Sequence, residues 1–187
     1  MKKNSFEVTI IGAGRVGLPL ALVLEDRGLK VAIKDSNIQI IKCIKSKKPP
    51  FKEKGLKNLL NKTKIQCFKD SMPNSKYYMI TVGTPLRQNI ETDLSQIVKV
   101  IDEIINTKNI KNSTIILRST IAPNTTRFIS QYINKKTNLL NGKDFFLSYC
   151  PERIVEGNAI SELLELPQIV GVNDQKSWIR SKKLFKL

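Results

Sequence analysis

Six residues, Gly12-Ala13-Gly14-Arg15-Val16-Gly17, restrict the fold of this chain more than any others. They stand directly after an apolar run, Phe6-Glu7-Val8-Thr9-Ile10-Ile11, and directly before a helical pattern. In that pattern Gly17, Leu20, Ala21 and Leu24 recur at i, i+3, i+4 and i+7, so they share one helical face. A strand that turns through glycine into a helix leaves free amides and the positive end of the helix dipole facing outward. Phosphates bind at such ends. Gly12 permits the tight turn, Gly14 a close approach of the backbone to a diphosphate, and Gly17 close packing of helix on strand. Pro19 falls in the first turn, where some amides lack helical partners anyway. Gly28 is the expected stop.

A second strand, Val31-Ala32-Ile33, ends at Asp35. A carboxylate there suits the two hydroxyls of an adenosine ribose and repels a 2′-phosphate, so NAD is favoured over NADP. Lys34 works slightly against that preference. The bland alternative is a glycine turn with a surface acid. The order strand, loop, helix, strand, acid disfavours it. Gly12, Gly14, Arg15, Val16, Gly17 and Asp35 are therefore the candidate dinucleotide contacts.

The alternation continues. Ile38 to Ile44 predicts a helix, Pro49-Pro50 opens a loop, and a short helix follows from about Leu56 to Leu60. Ile65–Phe68 and Tyr77–Val82 read as strands. Asp93 to Gln96 resembles a capping box, with the acid as N-cap, before a helix bearing Ile97, Val100, Ile101, Ile104 and Ile105. Thr114–Leu117 is a strand, Pro123 leads into a helix reaching about Ile133, and Phe145–Tyr149 and Gln168–Val172 are further strands. Strands alternating with helices imply right-handed βαβ units. The fold class is α/β, a doubly wound, mostly parallel Rossmann sheet with helices on both faces. Residues 1–172 read as one NAD-binding domain and 173–187 as a polar, basic tail.

Composition removes several classes of function. The chain has 187 residues, 41% hydrophobic and 26% charged, which suits one globular domain. No apolar run is long enough to span a bilayer, so no membrane partner is expected. The basic start, Met1 to Ser5, meets Gly12 too soon for a signal peptide, and a cytoplasmic location is the default. There is no histidine, which excludes Ser-His-Asp chemistry and histidine metal sites within these residues. Cys43, Cys67 and Cys150 form no CxxC pair, so neither a disulfide framework nor a zinc site is expected. All three read as buried, inert thiols. The net charge of +16 is concentrated between Lys42 and Lys69, where Glu53 is the only acid. That stretch reads as a solvated surface rather than a nucleic-acid site, because no aromatics interleave as a stacking platform. Nucleic-acid affinity, if it existed, would fall steeply with salt.

Three later segments carry more information: Val82-Gly83-Thr84-Pro85, Ser119-Thr120-Ile121-Ala122-Pro123-Asn124-Thr125-Thr126 and Tyr149-Cys150-Pro151-Glu152-Arg153. Each closes a strand at the carboxyl edge of the sheet, where open α/β folds bind ligands. The hydroxyls of Thr84 and Thr120 could contact a cofactor or a water, or could cap loops. Pro85 and Pro123 stiffen the turns. Glu152 and Glu156 would face one crevice, where two carboxylates suit acid–base work; a solvated loop is the alternative.

Together with Gly17-Leu18-Pro19-Leu20-Ala21, these segments resemble the UDP-glucose/GDP-mannose dehydrogenase family, from about Val8 to about Gly171. The resemblance implies oxidation of the C6 alcohol of a nucleotide sugar to a carboxylate by two NAD in turn, through a cysteine thiohemiacetal and thioester. It implies that Thr120 and Glu152 bind or activate water, that Glu156 lies by nicotinamide and sugar, and that Thr84 and Pro85 meet the cofactor. The segment Glu152-Arg153-Ile154-Val155-Glu156 would line the sugar site. The Cys-Pro-Glu-Arg form is more like relatives acting on UDP-N-acetylamino sugars such as UDP-N-acetylmannosamine, in surface polysaccharide synthesis. Arg153 could aim at a sugar or phosphate oxygen, or hold a structural ion pair.

The pattern also departs from the family. Cys150 is not its nucleophile, and that cysteine, with the catalytic lysine and asparagine, belongs to later domains that this chain is expected to lack. The chain is then expected to bind NAD without turnover, and to be a monomer or weak oligomer. Ile40 stands where relatives often carry lysine, and Val172 where they often carry glycine. A non-catalytic NAD-binding remnant or interaction module is the alternative reading. A hydroxyacid dehydrogenase on the same fold is disfavoured by the Cys-Pro-Glu-Arg and Ser119–Thr126 segments.

Overall fold

A computed structural model describes residues 5–86, 92–107 and 110–186. The basic residues 1–4 lie outside them. The elements follow in the order β1 (Phe6–Ile11), α1 (Gly17–Asp26), β2 (Val31–Lys34), α2 (Ile38–Lys45), α3 (Leu56–Lys62), β3 (Gln66–Phe68), β4 (Ser75–Ile80), α4 (Ser95–Asn106), β5 (Thr114–Leu117), α5 (Thr125–Thr137), β6 (Phe146–Tyr149), α6 (Ala159–Glu165), β7 (Gly171–Val172) and α7 (Gln175–Phe185). The strands form one sheet in the order β3-β2-β1-β4-β5-β6-β7. All pairs are parallel except β6 with β7. Chain order reverses between β1 and β4, and that switch point opens a crevice at the carboxyl ends of the two strands.

The sheet is covered on both faces, so its central strands are predominantly apolar on both sides. Val8, Ile10, Val31, Ile33, Met79 and Ile116 pack with α1, α3 and Leu184 of α7. Ile11, Tyr78, Ile80, Ile115 and Leu117 pack with Ile97, Ile101 and Ile104 of α4 and Ile129 and Ile133 of α5. Helix α1 ends as the sequence predicts: Gly28 adopts φ +91°, and the Leu29 amide donates back to the Leu24 carbonyl at 3.2 Å.

Four expectations change. Helix α4 starts at Ser95, with Leu94 at the cap position. Asp93 still accepts the Ser95 amide at 2.8 Å, so the acid serves the helix from one residue further out. Only Gly171–Val172 of the predicted strand Gln168–Val172 pairs, and it runs antiparallel. The residues before it are committed elsewhere: Gln168 accepts from Arg118, and the Pro167 carbonyl accepts from Arg153. Helix α6 was not legible in the sequence, because its first amide, that of Ala159, is satisfied by a residue far away, Glu53. Finally, the stretch expected as a basic tail is mostly helix. Asp174 caps α7 by accepting the Ser177 amide at 2.8 Å, Ser181 meets Ser148 at 2.9 Å, and Leu184 enters the core.

Candidate cofactor site

The glycine loop fills the switch point. Gly12, at φ +100°, turns the chain out of β1. A Cβ on Gly17 would fall 1.8 Å from the Gly12 carbonyl oxygen and 2.5 Å from Thr81 Oγ1, so only glycine allows this approach of α1 to β1. Thr81, just past β4, was missed by the sequence reading. Its hydroxyl donates to the Gly12 carbonyl at 2.6 Å, with the Ile11 carbonyl at 3.0 Å, and so ties the loop to the neighbouring strand. A Cβ on Gly14 would meet nothing within 4 Å. The space above Gly14 is open, as a diphosphate would require.

Asp35 lies where the sequence predicts. Its carboxylate accepts the Ala13 amide at 2.6 Å and the Asn37 amide at 2.7 Å, so it braces the glycine loop as well as facing the crevice. Gly12, Gly14, Lys34, Asp35, Gln96 and Glu103 line one cavity of about 390 Å³. A larger apolar groove, about 540 Å³ between α1 and α7, shares no residue with the glycine loop.

The three other motifs converge on the same edge, with different assignments of contact. Thr84 donates its hydroxyl to the Thr120 carbonyl at 2.6 Å, which joins the loops after β4 and β5; the Thr120 side chain is exposed. Ser119, buried beside it, donates to the Val82 carbonyl at 2.6 Å. Glu152 and Glu156 engage two different arginines. Glu152 turns inward to Arg118, whose side chain is fully buried, while Glu156 reaches outward to Arg15 of the glycine loop at 3.2 Å. Arg118 also donates to Gln168 Oε1 at 2.7 Å, and its guanidinium sits 5.6 Å from the Phe185 ring centroid. Sequence reasoning passed over Arg118. The one available signal was a charge at the end of an otherwise apolar strand.

The loop from Glu152 to Asn158 is pinned from several sides. The Arg153 amide donates to Glu152 at 2.9 Å, and its guanidinium bonds the Pro167 carbonyl. The Val155 amide donates to Glu162 at 2.6 Å. Glu53, the lone acid of the lysine-rich stretch, accepts the Gly157 and Ala159 amides at 2.9 Å each. Ile154 is half-buried, and Val155 is exposed. Glu156 and Arg15 are both more than half exposed, so their pair is weak, about 0–1 kcal/mol, and replaceable by a ligand.

Cys150 is fully buried, and burial pushes its thiol up to about 11. Burial likewise pushes Cys67 up to about 11. Cys43 and Cys67 are half-buried rather than buried as expected; Cys67 lies on β3, the edge strand of the sheet. Among the described residues, no helix is long and apolar enough to cross a membrane.

Residues 6–187 match the model of the UDP-glucose/GDP-mannose dehydrogenase family, NAD binding domain. The chain is 30% identical to a UDP-N-acetyl-D-mannosamine dehydrogenase of Methanococcus aeolicus, over 98% of this chain and 42% of the relative. It is also 30% identical to a UDP-glucose 6-dehydrogenase of Rickettsia bellii, over 95% and 42%. The structure superposes on a GDP-mannose dehydrogenase of Pseudomonas aeruginosa with a TM-score of 0.88 at 27% identity, covering 96% of this chain and 44% of that one. The chain thus spans less than half the length of these relatives.

Proposed function

Because the chain belongs to the UDP-glucose/GDP-mannose dehydrogenase family by its NAD-binding domain, we propose that it supplies the cofactor half of a nucleotide-sugar 6-dehydrogenase. The observation that carries this reading is the join between the open face of Gly14 and the Asp35 carboxylate, held together by the Ala13 amide. A diphosphate fits over Gly14, against the amides at the start of α1, with Arg15 beside it. The ribose hydroxyls fit Asp35, which repels a 2′-phosphate. Held there, NAD would supply the acceptor for the hydride released from C6 of the sugar. The residues of this chain do the rest of the holding. Thr84, Pro85 and Thr120 border the nicotinamide side of the crevice. Glu152, Arg153, Ile154, Val155 and Glu156 form the loop that borders the nucleotide sugar: Glu156 reaches outward from it, Glu152 is held by Arg118 with its carboxylate edge still 11% exposed, and Thr120, exposed nearby, is the candidate to hold a water.

UDP-sugars are the substrate class, and UDP-N-acetylmannosamine is the member favoured by the Cys150-Pro151-Glu152-Arg153 segment, in keeping with the M. aeolicus relative. We assign no nucleophile to this chain. Cys150 and Cys67 are held as protonated thiols near neutral pH, and a thiol attacks a carbonyl as thiolate. On this reading the cysteine, and with it the second half of the site, comes from outside these 187 residues.

Calorimetric titration of the purified chain with NADH, and with NADPH as control, tests the reading. Saturable binding that favours NADH is expected, with no reduction of NAD on adding UDP-N-acetylmannosamine. A folded chain that binds neither dinucleotide overturns the cofactor assignment, and turnover by the chain alone overturns the incomplete site.

A further inference from the structure

Strand β2 carries an amine where a strand covered on both faces calls for hydrocarbon. Val31, Ala32 and Ile33 are buried, and Lys34 is only 6% exposed. Burying an ammonium is costly unless it is well paired, and an apolar side chain of similar volume often serves stability as well or better. This amine is paired. Its Nζ donates to the Lys69 carbonyl at 2.8 Å and lies 3.1 Å from Glu103 Oε2 on α4. An ammonium has three donors, and the third has no acceptor among the described residues. Lys34 and Glu103 both line the cavity that also contains Gly12, Gly14, Asp35 and Gln96. Its wall therefore offers an N–H donor and a carboxylate acceptor side by side.

We infer that Lys34 and Glu103 read the base of the dinucleotide, selecting adenine by its N6–N1 edge. The inference rests on the cofactor reading above. Adenine presents an exocyclic amine donor next to a ring-nitrogen acceptor. The amine donates to Glu103, and the ring nitrogen accepts from Lys34. Hypoxanthine carries an oxo group and a ring N–H in those places. In the same pose its oxygen meets the carboxylate and its N–H meets the ammonium. A site built of hydrogen-bonding groups rejects such an analogue because its buried groups are left unpaired. The same pairing directs the lysine beside Asp35 away from a 2′-phosphate, since two of its donors are already engaged.

The test is a titration of the full chain with NADH and with reduced nicotinamide hypoxanthine dinucleotide, repeated for Lys34→Met and Glu103→Gln. The wild-type chain is expected to bind NADH about tenfold tighter or more. In each variant that keeps its circular dichroism and melting behaviour, NADH still binds through the glycine loop and Asp35, and the preference falls to within about threefold. Glu103→Gln keeps the test open where Lys34→Met fails to fold. Equal affinity of the wild-type chain for the two dinucleotides overturns the inference and leaves the cofactor reading standing. So does a preference that survives the variants. Binding of neither dinucleotide by the folded wild-type chain removes the cofactor reading, and the inference with it.

Discussion

Arg118 and Glu152 form an ion pair across the carboxyl ends of β5 and β6, with the guanidinium fully shielded from solvent and the carboxylate 11% exposed. The Glu152 amide also donates to the Arg118 carbonyl at 3.4 Å, so backbone and side chain bracket the same two residues. Arg118 Nε has no partner among the described residues, which adds to the cost of burial. Removing either charge leaves the other buried and unpaired. Arg118→Met should therefore lower the unfolding free energy by about 3–5 kcal/mol. The double change Arg118→Met with Glu152→Leu should recover most of it. Urea unfolding of the three proteins checks this; a single variant within about 1 kcal/mol of wild type would mean that the pair is not what holds the loop.

Two of the loop glycines, Gly17 and Gly14, should behave differently. A methyl group on Gly17 collides with the Gly12 carbonyl and Thr81. Gly17→Ala should cost several kcal/mol, at or above the about 1–3 kcal/mol of ordinary overpacking, and should abolish NADH binding. A methyl group on Gly14 enters open space. Gly14→Ala should leave the melting temperature nearly unchanged and yet weaken NADH, because the methyl enters the space proposed for the diphosphate. Thermal melts alongside NADH titration separate the two. If Gly14→Ala binds NADH like wild type, the diphosphate does not sit there.

Asp35 braces the Ala13 amide and faces the cavity with the same carboxylate. Asp35→Asn keeps the size and loses the charge. The preference for NADH over NADPH should shrink by about tenfold, the worth of one hydrogen bond to a charged group. Affinities of both dinucleotides for this variant decide it. An unchanged ratio would assign the ribose to another residue.

What could be read from the sequence was local. The turn at Gly12, the helix behind Gly17 and the acid at Asp35 lie within one strand–helix–strand unit, and each is dictated by neighbours a few residues away. The features that were missed join distant segments. Thr81 reaches Gly12 across 69 residues, Arg118 reaches Glu152 across 34, and Glu53 reaches Gly157 across 104. No periodicity signals such contacts, and in the sequence Glu53 shows only as the one acid of a lysine-rich stretch. Helix α6 was lost for the same reason, since its capping acid belongs to another segment. The reading of Glu152 and Glu156 as facing one crevice had no way to weigh Arg118 and Arg15, the arginines that each carboxylate engages in the fold.

Cys150 gives a pH signature. Its thiol is pushed from an ordinary 9.0 up to about 11 in the folded chain, because burial disfavours the thiolate. Below pH 9 the thiol is protonated in both folded and unfolded chains, and it contributes no pH dependence. Between pH 9 and about 11 the unfolded chain gives up this proton and the folded chain keeps it. The unfolded state then binds fewer protons, so stability falls as pH rises, by up to about 1.4 kcal/mol per pH unit for this one group. Tyr77 and Tyr78, also raised by burial, act in the same direction at higher pH, so the comparison must be with Cys150→Ala. The gap in unfolding free energy between wild type and that variant should be constant from pH 7 to 9 and narrow from pH 9 to 10.5. A gap that stays constant would mean that water reaches the thiol. Labelling by a thiol reagent at pH 8 would then modify Cys150 in the folded chain, where the buried site should leave it unmodified.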